Sequence, residues 1–130
     1  MKAWKKVLIP LLVVILIILI GNLAKVIIEN NLNHFAKTEI VPISLANIQD
    51  GEYFGEYSIF PIKVKLEVSI KGNRISEIKI LEHRNGQGKP AEGIIGSIIT
   101  KQNIDVAVIS GASYSSRAIQ KSIEKALMKK

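Results

Sequence analysis

Cysteine is absent from the 130-residue sequence. That excludes disulfides, thiolate metal sites, a cysteine nucleophile and lipid attachment of the lipoprotein type. Histidine occurs only at His34 and His83, and neither has a second histidine at helical spacing, so the common zinc pattern is missing. Ser110 precedes its glycine and no second glycine follows, which leaves a hydrolase nucleophile elbow without its G-x-S-x-G sequence. Gly86-Gln87-Gly88-Lys89 lacks the four-residue gap and the following hydroxyl of a P-loop. The formal charge is +7, but Lys2, Lys5 and Lys6 lie ahead of a hydrophobic run. From Ser44 onward thirteen basic residues face nine acidic ones, spread over alternate strand and helix positions. A nucleic-acid platform concentrates its charge on one face, so no nucleic-acid partner is expected.

What the sequence does have begins with that run. Val7 to Ile20 is apolar throughout, and continuation through Ala24 brings it near the ~20 residues that a bilayer needs, with Lys25 placed to snorkel. Pro10 is expected in the first turns, and Trp4 suits the headgroup level. Asn22-Leu23-Ala24 fits a small-residue cleavage site poorly, so the expectation is an uncleaved single-pass anchor in the cell membrane. The leading lysines favour a cytoplasmic N-terminus and an extracytoplasmic C-terminal domain. The expected organisation is a basic leader over 1–6, a transmembrane anchor over 7–28, a linker over 29–46 containing His34 and Pro42, and a folded domain over 47–130.

Within that domain Asp50-Gly51 signals a turn, and Tyr53, Phe54 and Tyr57 suit a first strand that feeds the core. Ile62, Val64, Leu66, Val68 and Ile70 alternate with Lys63, Lys65, Glu67 and Ser69, the pattern of a strand buried on one face. Gly72-Asn73 turns the chain, and Arg74 to Leu81 returns antiparallel. Ile75 is out of phase there, which predicts a bulge near Ser76. Glu82 to Lys89 reads as a polar loop, Ala91 to Ile99 as an apolar helix, and Val106 to Ile109 as a short buried strand. After a small, hydroxyl-rich turn, Ile119, Ile123 and Leu127 form the apolar stripe of a last helix, with Gln120, Lys121, Glu124 and Lys125 on its polar face. The fold class is α+β: a small antiparallel sheet packed with two or three helices, preceded by one N-terminal transmembrane helix.

A strand, turn and helix in that order can bind an anion. The first N–H groups of a helix lack intrahelical acceptors and lie at the positive end of its dipole. Gly111 and Ala112 leave little bulk in a ligand's way, and the hydroxyls of Ser113, Ser115 and Ser116 either donate to a phosphate or cap the helix.

Ser110-Gly111-Ala112-Ser113 resembles the S-G-A-T signature of the FMN-binding domain family. The resemblance extends through Asp50-Gly51-Glu52-Tyr53, Lys71-Gly72-Asn73-Arg74-Ile75, Ile80 to Gly86 and Ala118 to Leu127, so it covers roughly 50–127. It implies FMN as cofactor, joined through its phosphate to Ser113 by a separate flavin transferase that moves FMN from FAD. By the same resemblance Ser110, Gly111, Ala112, Ser115 and Ser116 surround the attachment point, and His83, Arg84 and Asn85 lie near the flavin ring. The family commonly has threonine at the position of Ser113, whose hydroxyl forms the same phosphodiester. It commonly has an acid at the position of Ala107, part of the pattern the transferase reads. Asp105 stands two residues earlier, which on an extended strand keeps the face but shifts the side chain by about 6–7 Å. A partly exposed ring would suit an electron-transfer module among unidentified redox partners better than a self-contained oxidoreductase. The alternative is a non-redox binding module that kept the fold without its flavin, the reading that Ala107 favours.

Overall fold

The computed structural model describes residues 2–84 and 89–128. Residues 1–34 form one compact unit and residues 35–130 another.

In the first unit a helix, α1, starts at Lys2 and runs to Ala36 over 35 residues. It is long and apolar enough to cross a membrane. Its large apolar side chains from Val7 to Ile27 are exposed all round, so it has no single core-facing stripe. Because the helix begins five residues ahead of the apolar run, Pro10 lies inside it rather than in its first turn. Nor do Glu29, Asn30, Asn31 and Asn33 end it: the helix continues to Ala36, through the first part of the stretch expected as linker, and His34 sits in its last turn.

The second unit is built on a sheet of order β1-β2-β3, from β1 (Gly51–Ile59), β2 (Ile62–Lys71) and β3 (Arg74–Arg84), all antiparallel. Alternation in the central strand does what it predicts: Val64, Leu66, Val68 and Ile70 are fully buried. Gly72 and Asn73 both take positive φ, 57° and 59°, the signature of a two-residue type I′ turn. Asp50 Oδ1 accepts the Gly72 N–H at 2.9 Å, so the residue that opens the domain also fixes that turn.

Two bulges then set which way β3 faces. Ile70 pairs with Ile75 and Ser69 with Glu77, which leaves Ser76 as the extra residue where the out-of-phase Ile75 predicts it. Its hydroxyl donates to the Ser69 carbonyl at 3.0 Å. The second bulge was not expected: Leu66 pairs with Ile80 and Lys65 with Glu82, so Leu81 is extra. Side chains alternate with period two, so one inserted residue exchanges the faces of everything beyond it. Glu82 and Arg84 consequently pair across from the lysines on the outer face, while His83 joins Val64 on the covered one. The strand runs to Arg84, so Glu82 to Arg84, expected in the polar loop, belong to it, and the rest of that expected loop up to Gly88 lies outside the described residues.

A short 3-10 turn over Lys89–Gly93 leads into α2 (Ile94–Lys101). Gln102, at positive φ just past α2, turns its side chain onto the backbone of Ile75: Oε1 accepts from the N–H at 2.7 Å, and Nε2 donates to the carbonyl at 2.9 Å. One amide side chain thus supplies the ladder partner missing at the bulged edge of β3.

The last helix, α3 (Ser113–Met128), packs on β1 and β2. Ala118, Ile119, Ile123, Ala126 and Leu127 are buried as their spacing requires. Its polar face is not the solvated one the sequence suggests, since Gln120, Lys121 and Glu124 are buried as well. Lys121 Nζ donates to the Glu39 carbonyl at 2.7 Å and lies 3.1 Å from Glu124, whose Oε2 accepts the Val41 N–H at 2.9 Å. These bonds hold the 39–41 stretch, and Phe35 stacks on Tyr57 at 5.2 Å, with Lys125 Nζ 4.8 Å from that ring. Of the β1 aromatics Phe54 is exposed and Tyr53 and Tyr57 are half-buried, so that strand contributes little aromatic core. Its contribution is Gly55, where an added Cβ would strike the Ser122 carbonyl oxygen and come within 2.8 Å of Ala126 Cβ.

Gly55→Ala is expected to lower unfolding stability by about 2–3 kcal/mol, because backbone rather than a movable side chain occupies the space. Gly96→Ala, which meets nothing within 4 Å, is the matched control and leaves stability unchanged or slightly raised. Urea unfolding of the full chain in detergent measures both.

Candidate cofactor-binding site

The residues from Ile104 to Ala112 carry the approach to α3. Ile104 and Val106 are buried while Asp105 and Ala107 are exposed, an alternation that suggests a strand. No strand forms. The Val106 N–H bonds back to the Ile104 carbonyl at 2.9 Å, and the Asp105 N–H to Asn103 Oδ1 at 3.0 Å, so the backbone turns locally instead of pairing. Gln120 Nε2, fully buried on α3, donates to both the Ile104 and Val106 carbonyls at 2.9 Å. A side chain takes the place of a neighbouring strand.

The chain then reverses over Ile109 to Ala112, closed by the Ala112 N–H on the Ile109 carbonyl at 3.0 Å. Gly111 sits at φ 79°, the third position of a turn that calls for positive φ. Ser116 locks this reversal: its hydroxyl accepts the Ile109 N–H at 3.0 Å and donates to the Ala112 carbonyl at 2.8 Å. Ser116 N–H also bonds to the Ala112 carbonyl, at 2.9 Å. The helix therefore starts at Ser113, and Ser113 to Ser116 belong to its first turn rather than to the loop ahead of it.

The hydroxyl-rich turn is thereby sorted into two groups. Ser110, Gly111 and Ser113 are exposed; Ala112, Ser115 and Ser116 are buried, with Tyr114 half-buried between them. Nothing lies within 4 Å of the space a Gly111 side chain would fill, so the mouth of α3 is open. The first turn of α3 holds no acid, and the Ser113 and Ser115 amides have no carbonyl within the helix to bond. A phosphate group fits this set of donors, with the Ser113 hydroxyl at its exposed edge.

His83 and Arg84 do not share a surface. The His83 side chain is almost fully buried on the covered face, with Nδ1 3.0 Å from Glu92 Oε1. Arg84 is on the outer face, with Nε 3.0 Å from Glu82 Oε1, beside a mesh in which Lys63 and Lys65 lie 3.4–3.9 Å from Glu56 and Glu82. Asn85 falls outside the described residues. Two residues outside the set expected at the site stand out on α3. Gln120 shapes the approach, and Arg117, one turn beyond Ser113, is mostly buried with one amino group 3.9 Å from Asp105 Oδ1. The i, i+4 spacing of Ser113 and Arg117 was the available signal.

The model of the FMN-binding domain family matches residues 60–128, more than half of the chain, from the start of β2 to the end of α3. The chain belongs to that family, and FMN is its cofactor. No curated protein matches it.

Gln120→Leu removes the donor shared by the Ile104 and Val106 carbonyls. It is expected to destabilise the fold by about 2–3 kcal/mol. Hydrogen exchange of the full chain should show lost protection in the 104–112 segment and at the start of α3, with the β2–β3 hairpin unaffected.

Proposed function

We propose that this chain is a membrane-anchored, extracytoplasmic electron-transfer module that carries FMN covalently through Ser113. The observation that carries the reading is the exposed Ser113 hydroxyl at the open amino end of α3, in a chain of the FMN-binding domain family. In attachment, Ser113 Oγ attacks the FMN-side phosphorus of FAD. A new O–P bond forms, the pyrophosphate bond breaks, the hydroxyl proton passes to solvent and AMP leaves, with no change of redox state. A separate flavin transferase supplies the machinery for that step, and FMN once bound supplies reversible one- and two-electron chemistry.

The chain's own residues hold and position. Ser116 fixes the reversal that presents Ser113, Gly111 adopts the backbone angle that the reversal needs, and the helix amides receive the phosphate oxygens. Of the ring-side candidates, His83 and Arg84 lie on opposite faces of the sheet, so no more than one of them can meet the ring; Ser110, Ala112 and Ser115 stay candidates around its phosphate. An open mouth favours relay between membrane redox partners over enclosure of a substrate. The apolar α1 supplies the anchor, and its leading lysines favour a cytoplasmic N-terminus. Ala107 supports a second reading, a non-redox module, because an acid is commonly found there; Asp105, exposed like Ala107, is the acid nearest to it in sequence.

Co-production with a flavin transferase is expected to add the mass of one FMN less one water to the intact chain. Ser113→Ala abolishes the gain. A chain that stays at its unmodified mass with an active transferase present supports the non-redox reading instead. Because the protein has no cysteine, Lys71→Cys gives a single label on an exposed turn. In right-side-out membrane vesicles a membrane-impermeant maleimide should label it without permeabilisation; labelling only after permeabilisation reverses the orientation.

A further inference from the structure

We infer that Arg117 is a cofactor-binding residue that takes the phosphate group of FMN; this rests on the placement of FMN at Ser113. Arg117 follows Ser113 by four residues on α3, which puts both on one face, and helical side chains lean toward the amino end, so its guanidinium reaches back toward the mouth. Its side chain is only 20% exposed, and its Nε is buried with no hydrogen-bond acceptor among the described residues. Its one ion pair is long, 3.9 Å to Asp105 Oδ1, and that carboxylate is itself 62% exposed. A guanidinium carries five donors, and a largely buried one with a single distant ion-pair partner among the described residues is short of acceptors. A phosphate supplies them in the fork geometry that arginine matches.

The other cations on α3 are engaged elsewhere. Lys121 is bonded to Glu124 and the Glu39 carbonyl, and Lys125 lies over Tyr57. The first turn holds no charged side chain of its own, so an arriving phosphate meets neutral hydroxyls, amides and then Arg117. Asp105 is the competing group, and FMN binding would draw the guanidinium away from it. No bond is made or broken in this step; it is ion pairing alone.

The test separates phosphate recognition from ring recognition. In the full-length Ser113→Ala chain in detergent, attachment is blocked, and binding of free FMN and of riboflavin, which lacks the phosphate, is followed by quenching of flavin fluorescence. Adding Arg117→Gln should weaken FMN binding at least about tenfold while leaving riboflavin binding within about twofold. Arg117→Lys, which keeps one charge but not the fork, should fall between the two. Equal weakening of both ligands by Arg117→Gln, or an unchanged FMN affinity, overturns the role of Arg117 and leaves the site standing. Should Arg117→Gln fail to fold, Arg117→Lys decides: an unchanged ratio of FMN to riboflavin affinity overturns the proposal. If Ser113→Ala binds neither ligand, the site itself falls, and the inference with it.

Discussion

The domain depends on how closely α3 approaches the sheet. At Gly55 the backbone of β1 and the Ser122 carbonyl come nearer than any side chain allows, and that contact fixes the depth at which the helix lies. Burial follows on more than one side. The aliphatic stripe packs on the sheet whose Val64, Leu66 and Val68 are fully buried, Ser122 Oγ bonds within its own helix to the Ala118 carbonyl, and Gln120, Lys121 and Glu124 are drawn out of water. A helix buried so extensively needs partners for its polar groups. It finds them in backbone: Ile104 and Val106 for Gln120, Glu39 for Lys121, Val41 for Glu124. The same side chains thereby pin the two irregular segments of the domain, one of which leads to the site.

Position at the site is inherited from that packing. Gln120 holds the approach, Ser116 closes the reversal, and the helix begins where the reversal ends, so Ser113 is set by a chain of hydrogen bonds that starts two turns inside α3. The mouth can stay open because the residues that shape it are buried beneath it. Flavin chemistry asks for a fixed anchor point and an accessible ring, and a small domain with the proposed attachment residue on a helix end would supply the first without enclosing the second.

Much of this was legible in the residues. The alternation from Ile62 to Ile70 defined the central strand, Gly72-Asn73 its turn, and the phase error at Ile75 its bulge. The bulge at Leu81 was hidden, because Ile80 and Leu81 are both apolar and either register looks acceptable until His83 is seen to face inward. Helix α3 was read as starting late, since Ser113, Ser115 and Ser116 are as common in turns as in first helical turns. Its buried polar face was invisible, as Lys121 and Glu124 look solvated in any sequence. Val106 to Ile109 read as a strand on hydrophobicity, which cannot register that a glutamine fourteen residues on would take over the hydrogen bonding. The Ser-Gly-Ala-Ser stretch proposed as the site's core was legible from composition and resemblance together; the proposed role of Arg117 was not, because it depends on burial.

The most direct measurement is peptide mapping of the flavin-loaded chain. Trypsin should release Gln102–Arg117 as one peptide containing Ser110, Ser113, Ser115 and Ser116. Fragmentation is expected to place the flavin phosphate on Ser113, the exposed hydroxyl in the first turn of α3. Flavin found on Ser110, on either buried serine, or on a peptide from elsewhere in the chain would contradict the account.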